Sequence, residues 1–179
     1  MNYELFRALE PAEAQQFLVT YLEMGRSDAE EVAATAAEAG VVLDYSLSSV
    51  PEMLKWQLSM VRTVPREAES VLPGWIRSSP TYLRNLFDFD EPSRDFVLRG
   101  SYYLGESFVR QSSRLFWKIG EKGFAQENMP VVTGFSDEVE LPPILVVNNL
   151  FRRILAGSGS LSDIDKAIKT WRSRTDTPR

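Results

Sequence analysis

The strongest helical pattern in the sequence begins at Pro92 and runs to about Gln111, and it constrains the fold more than any other segment. Its large apolar side chains recur at helical spacing and form one broad apolar face: Phe96, Val97, Tyr103, Leu104 and Phe108. Gly100 and Gly105 lie in the same segment, although glycine in a helix costs about 1 kcal/mol relative to alanine. We therefore predict a central helix with another element packed closely against its backbone at the two glycines.

The only β-rich region lies between about residues 115 and 141. Three short stretches there, at 115–119, 129–135 and 139–141, combine aromatic and β-branched residues and are separated by turn residues. Strands that are adjacent in sequence usually pair with each other. We therefore predict an α+β fold that is mostly helical, with a short antiparallel three-stranded meander over about 115–141 packed on helices.

Boundary signals place the remaining helices. Pro11 and Pro143 mark helix starts, because proline is favoured in the first turn, and Gly25 is predicted to end the first long helix. Ser27 and Ser49 are each followed three residues later by glutamate, which predicts a capping box at the start of the second and third helices. These signals predict helices on both sides of the β-rich region.

The length of 179 residues predicts a single domain, 1–179. It divides into three parts: an N-terminal helical hairpin (1–40), a core with the sheet (41–156) and a C-terminal helix (161–172). Within the core, residues 66–92 show little pattern beyond a short helix predicted to begin at Pro80. The arrangement of that segment is not predicted.

The sequence contains no cysteine and no histidine. Without cysteine there is no disulfide and no thiolate nucleophile, and without histidine the usual general base near neutral pH is missing. Catalytic arrangements of the Ser-His-Asp and Cys-His types are therefore impossible. An enzyme of this composition would depend on carboxylates, lysine, tyrosine or a cofactor, and we predict neither a cofactor nor a metal site.

The apolar runs are too short for a membrane span. The longest is Ile144–Val147, whereas a span needs about 20 apolar residues. The first ten residues include Glu4, Arg7 and Glu10, unlike the basic and then apolar start of a secretory signal. We therefore expect a cytoplasmic protein with no membrane contact.

The net charge of −5 and the scattered basic residues argue against nucleic-acid binding, which depends on clustered lysine and arginine. An acidic balance suits a basic protein partner, and it also simply favours solubility. Two acidic clusters are the predicted partner-binding residues: Asp88, Asp90 and Glu91 in the first, and Asp137, Glu138 and Glu140 in the second. Each has an alternative interpretation: the first favours the positive end of a helix dipole, and the second prevents an edge strand from pairing with other chains.

Glu106 is the most prominent single carboxylate, because it lies in the predicted central helix. Arg110 is four residues further on, where an opposite charge stabilises a helix by a few tenths of a kcal/mol. A functional interpretation makes Glu106 a general acid, with Asp44 as the base. A structural interpretation makes it the partner of Arg110.

Two segments resemble a loose family of uncharacterised small bacterial α+β proteins. The first is Leu43-Asp44-Tyr45-Ser46 before a helix, and the second is Tyr103-Leu104-Gly105-Glu106 leading to Trp117 in a strand and then to a helix that begins with Pro142-Pro143. The resemblance covers about residues 41–156 and is interrupted over 66–92. Its motif residues are Asp44, Ser46, Gly105, Glu106 and Trp117.

Small acidic proteins of this kind often serve as immunity proteins or accessory members of bacterial toxin systems. The resemblance therefore implies a non-enzymatic interaction protein, and specifically an immunity protein that neutralises a basic toxin. Two alternatives stay open: a carboxylate-dependent enzyme that uses Glu106 and Asp44, and a structural or scaffolding subunit.

Overall fold

The computed structural model describes residues 4–66, 78–79 and 86–175. The helices of these residues are α1 Glu4–Arg7, α2 Pro11–Ser27, α3 Ala29–Glu38, α4 Ser49–Met60, α5 Glu91–Gln111, α6 Pro143–Leu155 and α7 Ser162–Ser173. The strands are β1 Thr63–Pro65, β2 Phe87–Phe89, β3 Phe116–Ile119 and β4 Pro130–Thr133. The predicted α+β, mostly helical fold is confirmed.

Helix α5 is the central element, as the sequence predicts. It packs against α2, α4, α6 and three of the strands, and its core side chains Val97, Leu104 and Phe108 are fully buried. The predicted close approach at the glycines is confirmed as well. A Cβ atom on Gly105 would lie 2.1 Å from Trp117 Cη2, and one on Gly100 would lie 2.2 Å from Gln57 Oε1.

The predicted three-stranded meander is wrong. β3 pairs with β4 in antiparallel register, with Trp117 opposite Val132, but the stretch at 139–141 adds only an isolated bridge between Leu141 and Val132. The backbone of Glu138 has a φ of 59°, outside the extended range, and Pro142 has no N–H to continue a ladder. The third stretch therefore makes one bridge before α6 begins.

A second sheet forms where the sequence predicts no strand. β1 and β2 pair antiparallel, with Val64 opposite Asp88, and Arg152 of α6 attaches β2 to the helices. Its guanidinium donates from Nη1 to the Phe87 carbonyl at 2.6 Å and from Nη2 to Asp88 Oδ1 at 2.7 Å. The short helix predicted from Pro80 lies outside the described residues.

Three boundary signals, at Gly25, Ser27 and Ser49, have a different role from the predicted one. α2 continues past Gly25 to Ser27. Gly25 instead makes room for the ring of Tyr102, because a Cβ atom there would meet Tyr102 Cγ at 2.2 Å. The two capping boxes are also wrong. α3 follows Asp28 as its N-cap residue, and the Ser49 hydroxyl donates back to the Ser46 carbonyl at 2.8 Å instead of capping α4.

Candidate functional site

An open groove of about 400 Å³ lies beside the C-terminal end of α7. Three chain segments form it: the β3–β4 connection, the segment after β4, and the end of α7. Its lining combines carboxylates with two aromatic rings: Glu121, Phe124, Gln126, Glu138, Val139, Glu140, Trp171 and Arg174. The groove therefore contains part of the second acidic cluster that the sequence predicts.

The β3–β4 connection forms one wall and is closed by backbone hydrogen bonds. Gly120 N–H donates to the Met129 carbonyl at 2.8 Å, and Asn128 N–H donates to the Gly120 carbonyl at 3.2 Å. Gly123 has a φ of 89° at the tip of this connection, a conformation that glycine adopts without steric cost. Phe124 follows it and leaves 56% of its surface exposed. A large aromatic side chain is thus presented to solvent on a connection tied at its base.

The opposite wall is held by Glu140, whose side chain is only 8% exposed. Its Oε2 accepts a hydrogen bond from Gln126 Nε2 at 2.9 Å, and its Oε1 lies 2.6 Å from Lys118 Nζ. Lys118 also pairs with Glu121 at 2.9 Å. Hydrogen bonds to Glu140 and Glu121 raise the pKa of Lys118, so the lysine stays charged between the two walls.

The floor is aromatic and joined to the core. The Trp171 ring lies 5.4 Å from the ring of Phe135, which is 2% exposed. The Arg174 guanidinium lies 5.1 Å from the Trp171 ring centre and forms an ion pair with Asp137. The Ser136 hydroxyl donates to the Arg174 carbonyl at 2.8 Å. These contacts fix the end of α7 against the acidic wall.

The charges in and beside the groove do not balance. Four carboxylates belong to it or adjoin it, against the two cations Lys118 and Arg174 that pair there with Glu121, Glu140 and Asp137; the carboxylates are Glu121, Asp137, Glu138 and Glu140. An excess of carboxylates beside the exposed Phe124 and the half-buried Trp171 suits an arginine or lysine side chain, which binds both a carboxylate and an aromatic face.

The first acidic cluster is used inside the fold. Asp88 pairs with Arg152, and Asp90 Oδ1 accepts a hydrogen bond from Ser93 N–H at 3.0 Å as the N-cap of α5. Glu91 lies exposed in the first turn of the same helix. Asp90 and Glu91 thus have the helix-terminus position that the sequence offered as the alternative to partner binding, whereas Asp88 lies in β2.

The two motif segments meet in the structure. The Asp44 carboxylate accepts a hydrogen bond from Ser46 N–H at 2.8 Å. Hydrogen bonds from the Ser46 side chain and from this N–H lower the pKa of Asp44. Tyr45 has a φ of 58°, and its N–H donates to the Tyr103 hydroxyl at 2.9 Å while the two rings stack 4.6 Å apart. Ser49 Oγ lies 2.7 Å from the same hydroxyl. The turn before α4 is thus held on the buried face of α5.

Glu106 is the junction of the second motif. It is 15% exposed, and both of its oxygens are engaged: Oε1 accepts from Arg110 Nε at 3.0 Å and Oε2 accepts from Trp117 Nε1 at 3.2 Å. The Arg110 guanidinium lies 3.7 Å from the centre of the Tyr45 ring. Neither Glu106 nor Asp44 lines the groove, and the two carboxylates share no concave surface with each other at Tyr45 or Tyr102 either. The arrangement fits the structural interpretation of Glu106.

Two adjacent tyrosines of α5 give a test of this network. Replacing Tyr103 by phenylalanine is expected to lower the free energy of unfolding by about 1–2 kcal/mol, because the Tyr45 N–H and the Ser49 hydroxyl lose their partner. Tyr102 is the matched control. Its hydroxyl is buried without a hydrogen-bond partner among the described residues, and burial raises its pKa to about 12.

We expect Tyr102→Phe to be neutral or stabilising, since it removes an unsatisfied polar group. Urea denaturation of the two variants measures the difference. Equal losses in both would contradict the assigned network.

Sequence reasoning missed Phe124, Trp171 and Arg174 as members of the groove. The signal available for Phe124 is an aromatic residue directly after Gly123 in a polar turn, where no core contact is expected. Trp171 has helical spacing and is predicted only to dock α7. The sequence does not indicate that the Trp171 ring also lines a groove, because this depends on where the segment after β4 lies in the folded chain.

The remaining features of the chain concern membrane spans, metal sites and similarity to known proteins. No helix in the described ranges is long and apolar enough to cross a membrane. Within those ranges, no group of three or more acidic side chains is placed to hold a metal ion. Comparison with known proteins finds no match: no family model, no curated protein and no solved structure matches this chain.

Proposed function

We propose that this protein is a non-enzymatic binding protein that holds a basic segment of a partner protein in the groove at the end of α7. The observation that carries the proposal is the position of Phe124, 56% exposed, and Trp171 on the same groove as three carboxylates. Arginine is the best match for such a surface, because its guanidinium binds carboxylates in bidentate fashion and stacks on aromatic rings. Arg174, which lies over Trp171 and pairs with Asp137, is an internal example of that recognition.

Protection of an edge strand is the competing explanation for the second acidic cluster. Edge protection needs only charge, and it does not account for an exposed phenylalanine on the same groove as the carboxylates. Edge protection also gives no reason for the groove that Trp171 and Val139 line. The groove supports binding better than it supports edge protection.

The specific form of this function is neutralisation of a basic toxin in the cytoplasm by an immunity protein. In such a complex, carboxylates cover a positively charged active site, and their charge sets the association rate and the choice of partner. The carboxylate-dependent enzyme has weaker support, because Glu106 is already bound by Arg110 and Trp117. No contact of the described residues favours a scaffolding role over binding.

Binding of a labelled nona-arginine peptide, followed by fluorescence anisotropy, tests the proposal. Phe124→Ser removes the exposed ring, and a double variant, Glu121→Gln with Glu138→Gln, removes two groove charges. Phe116→Ser is the matched control for the ring, because Phe116 is 55% exposed and lies outside the groove. Glu23→Gln with Glu38→Gln removes the same charge from exposed positions on α2 and α3.

We expect Phe124→Ser to weaken binding about tenfold, as for an aromatic side chain at the centre of an interface. The double charge variant is expected to weaken it by about fivefold, with a smaller dependence on salt. The two controls are expected to bind as the unmodified protein does. Equal effects of the groove variants and their controls would mean that the peptide follows net charge and that the groove is not the site.

A further inference from the structure

A second concave surface lies apart from the groove, between the start of α4, the end of α5 and the end of α7. It has a volume of about 420 Å³ and shares no lining residue with the groove. Its lining is rich in hydrogen-bond donors: Ser46, Ser48, Gln111, Ser112, Arg114 and Arg172. A cleft of this volume is in the range of small-molecule sites.

The two arginines distinguish this cleft from the rest of an acidic surface. Nearby cations such as Arg110 and Arg174 are ion-paired. In contrast, Arg114 and Arg172 have no acidic partner among the residues that the structure describes. Arg114 donates from Nη2 to the Thr175 carbonyl at 3.1 Å, a neutral acceptor that positions its guanidinium. Two guanidinium groups on one cleft, with no ion pair to the described part of the chain, attract an anion.

The remaining donors suit an oxyanion. The Ser46 and Ser48 hydroxyls lie 2.9 Å apart and both line the cleft. The Ser46 side chain also hydrogen-bonds to the Asp44 carboxylate, so Ser48 is the more available donor. They belong to the turn that leads into α4, whose N-terminus adds the positive end of the helix dipole. A dianion would neutralise both guanidinium charges, whereas a carboxylate would neutralise one. The charge count therefore favours a phosphate monoester.

We propose that the cleft formed by Ser46, Ser48, Arg114 and Arg172 binds a small phosphorylated molecule. The arginines bind the phosphate oxygens through charge-assisted hydrogen bonds, and the serine hydroxyls orient it. The rest of the cleft takes the group that the phosphate is esterified to. This site is independent of the groove, so either proposal can fail without the other.

An ordinary role for Arg172 has to be separated from this one. A cation in the last turn of a helix stabilises that helix without any ligand. That effect is the same whether phosphate is present or absent. The test must therefore read ligand binding and not stability alone.

Isothermal titration of the full chain with phenyl phosphate at pH 8 is the test, with benzoate as a monoanionic comparison. Arg172→Ala is the first variant, because its side chain makes no hydrogen bond or ion pair in the described part of the chain, and its fold is expected to be intact. The second variant combines it with Arg114→Gln. Lys169→Ala is the control, since it removes one exposed charge from the same helix without touching the cleft.

We expect phenyl phosphate to bind more tightly than benzoate, and the double variant to lose about tenfold or more in affinity. Arg172→Ala alone is expected to weaken binding, and Lys169→Ala to leave it unchanged. The proposal is overturned by an absence of binding to the unmodified protein, or by equal affinity in the double variant and the control.

Discussion

Replacing Arg152 by methionine is expected to lower the free energy of unfolding by about 2–3 kcal/mol, because a buried guanidinium loses its hydrogen bonds while Asp88, which is 32% exposed, stays partly hydrated. Arg152 is 7% exposed, and its guanidinium bonds both the Phe87 carbonyl and Asp88. It also lies 5.0 Å from the ring centre of Phe89. Methionine fills a similar volume, so the loss reports the polar contacts and not a cavity.

The neighbouring residue supplies the control. Arg153 lies on the same helix, is 43% exposed, and makes a 3.6 Å contact with Asp163. Exposed ion pairs of this kind contribute about 0–1 kcal/mol. Arg153→Met is therefore expected to change the stability by less than 1 kcal/mol in the same urea titration. Similar losses in the two variants would show that Arg152 does not attach the β1–β2 sheet to α6.

The pH dependence adds a second signature. Burial disfavours the ionised form of Asp88, but the hydrogen bond and charge of Arg152 hold its pKa below the usual value. A lowered pKa contributes stability above the unfolded value of about 3.9, and this stability is lost as the pH falls through the folded pKa. The difference in the free energy of unfolding between the unmodified protein and Arg152→Met is therefore expected to become smaller from pH 5 to pH 3. A stability difference that stays constant over this pH range would contradict the pairing of Arg152 with Asp88.

Gly105→Ala is expected to lower the free energy of unfolding by about 2 kcal/mol, although alanine is the better helix former by about 1 kcal/mol. The new methyl group would lie 2.1 Å from Trp117 Cη2 and 2.4 Å from Cζ2, so the indole ring must shift. That shift would strain the stack of Trp117 on Tyr102 and its hydrogen bond to Glu106.

Trp117→Ala separates the clash from every other effect of the methyl group. This single change is expected to lower the stability by about 3 kcal/mol, because it removes a large, half-buried ring. In its background, Gly105→Ala is expected to be close to neutral. The helix preference then offsets the remaining 3.0 Å contact with Pro143 Cγ.

A double-mutant cycle in urea measures the coupling, which we expect to exceed 1 kcal/mol. An unchanged penalty for Gly105→Ala in the two backgrounds would show that Trp117 is not what requires glycine at this position.

The part of the fold that the sequence predicts well is the part that local pattern determines. The start of α5 after Asp90 follows from helical spacing and the position of Pro92, and the close packing follows from Gly100 and Gly105. The β1–β2 sheet is different. Its strands have three residues each and are separated by 21 residues between Pro65 and Phe87. Such pairing depends on the tertiary contact of Arg152, which no local pattern contains.

The candidate site likewise has a part that the sequence predicts and a part that it does not. Charge is visible in a sequence, so the acidic segment at 137–140 could be predicted as a partner-binding candidate. The aromatic half of the groove could not, because Phe124 and Trp171 lie 47 positions apart and meet only in the folded chain. The contact of Glu106 with Trp117 is likewise tertiary, joining α5 to β3. Without that contact, a buried carboxylate looks like a catalytic candidate.

The central claim is that a basic segment binds in the groove that Phe124, Glu138 and Trp171 line. Its most direct test is an NMR titration of the ¹⁵N-labelled chain with nona-arginine, following backbone amides and the indole N–H groups. We predict that the largest shift changes fall on the amides of Phe124 and Glu138 and on the indole of Trp171. Changes concentrated at Asp90 and Glu91, or spread evenly over the acidic surface, would contradict the claim.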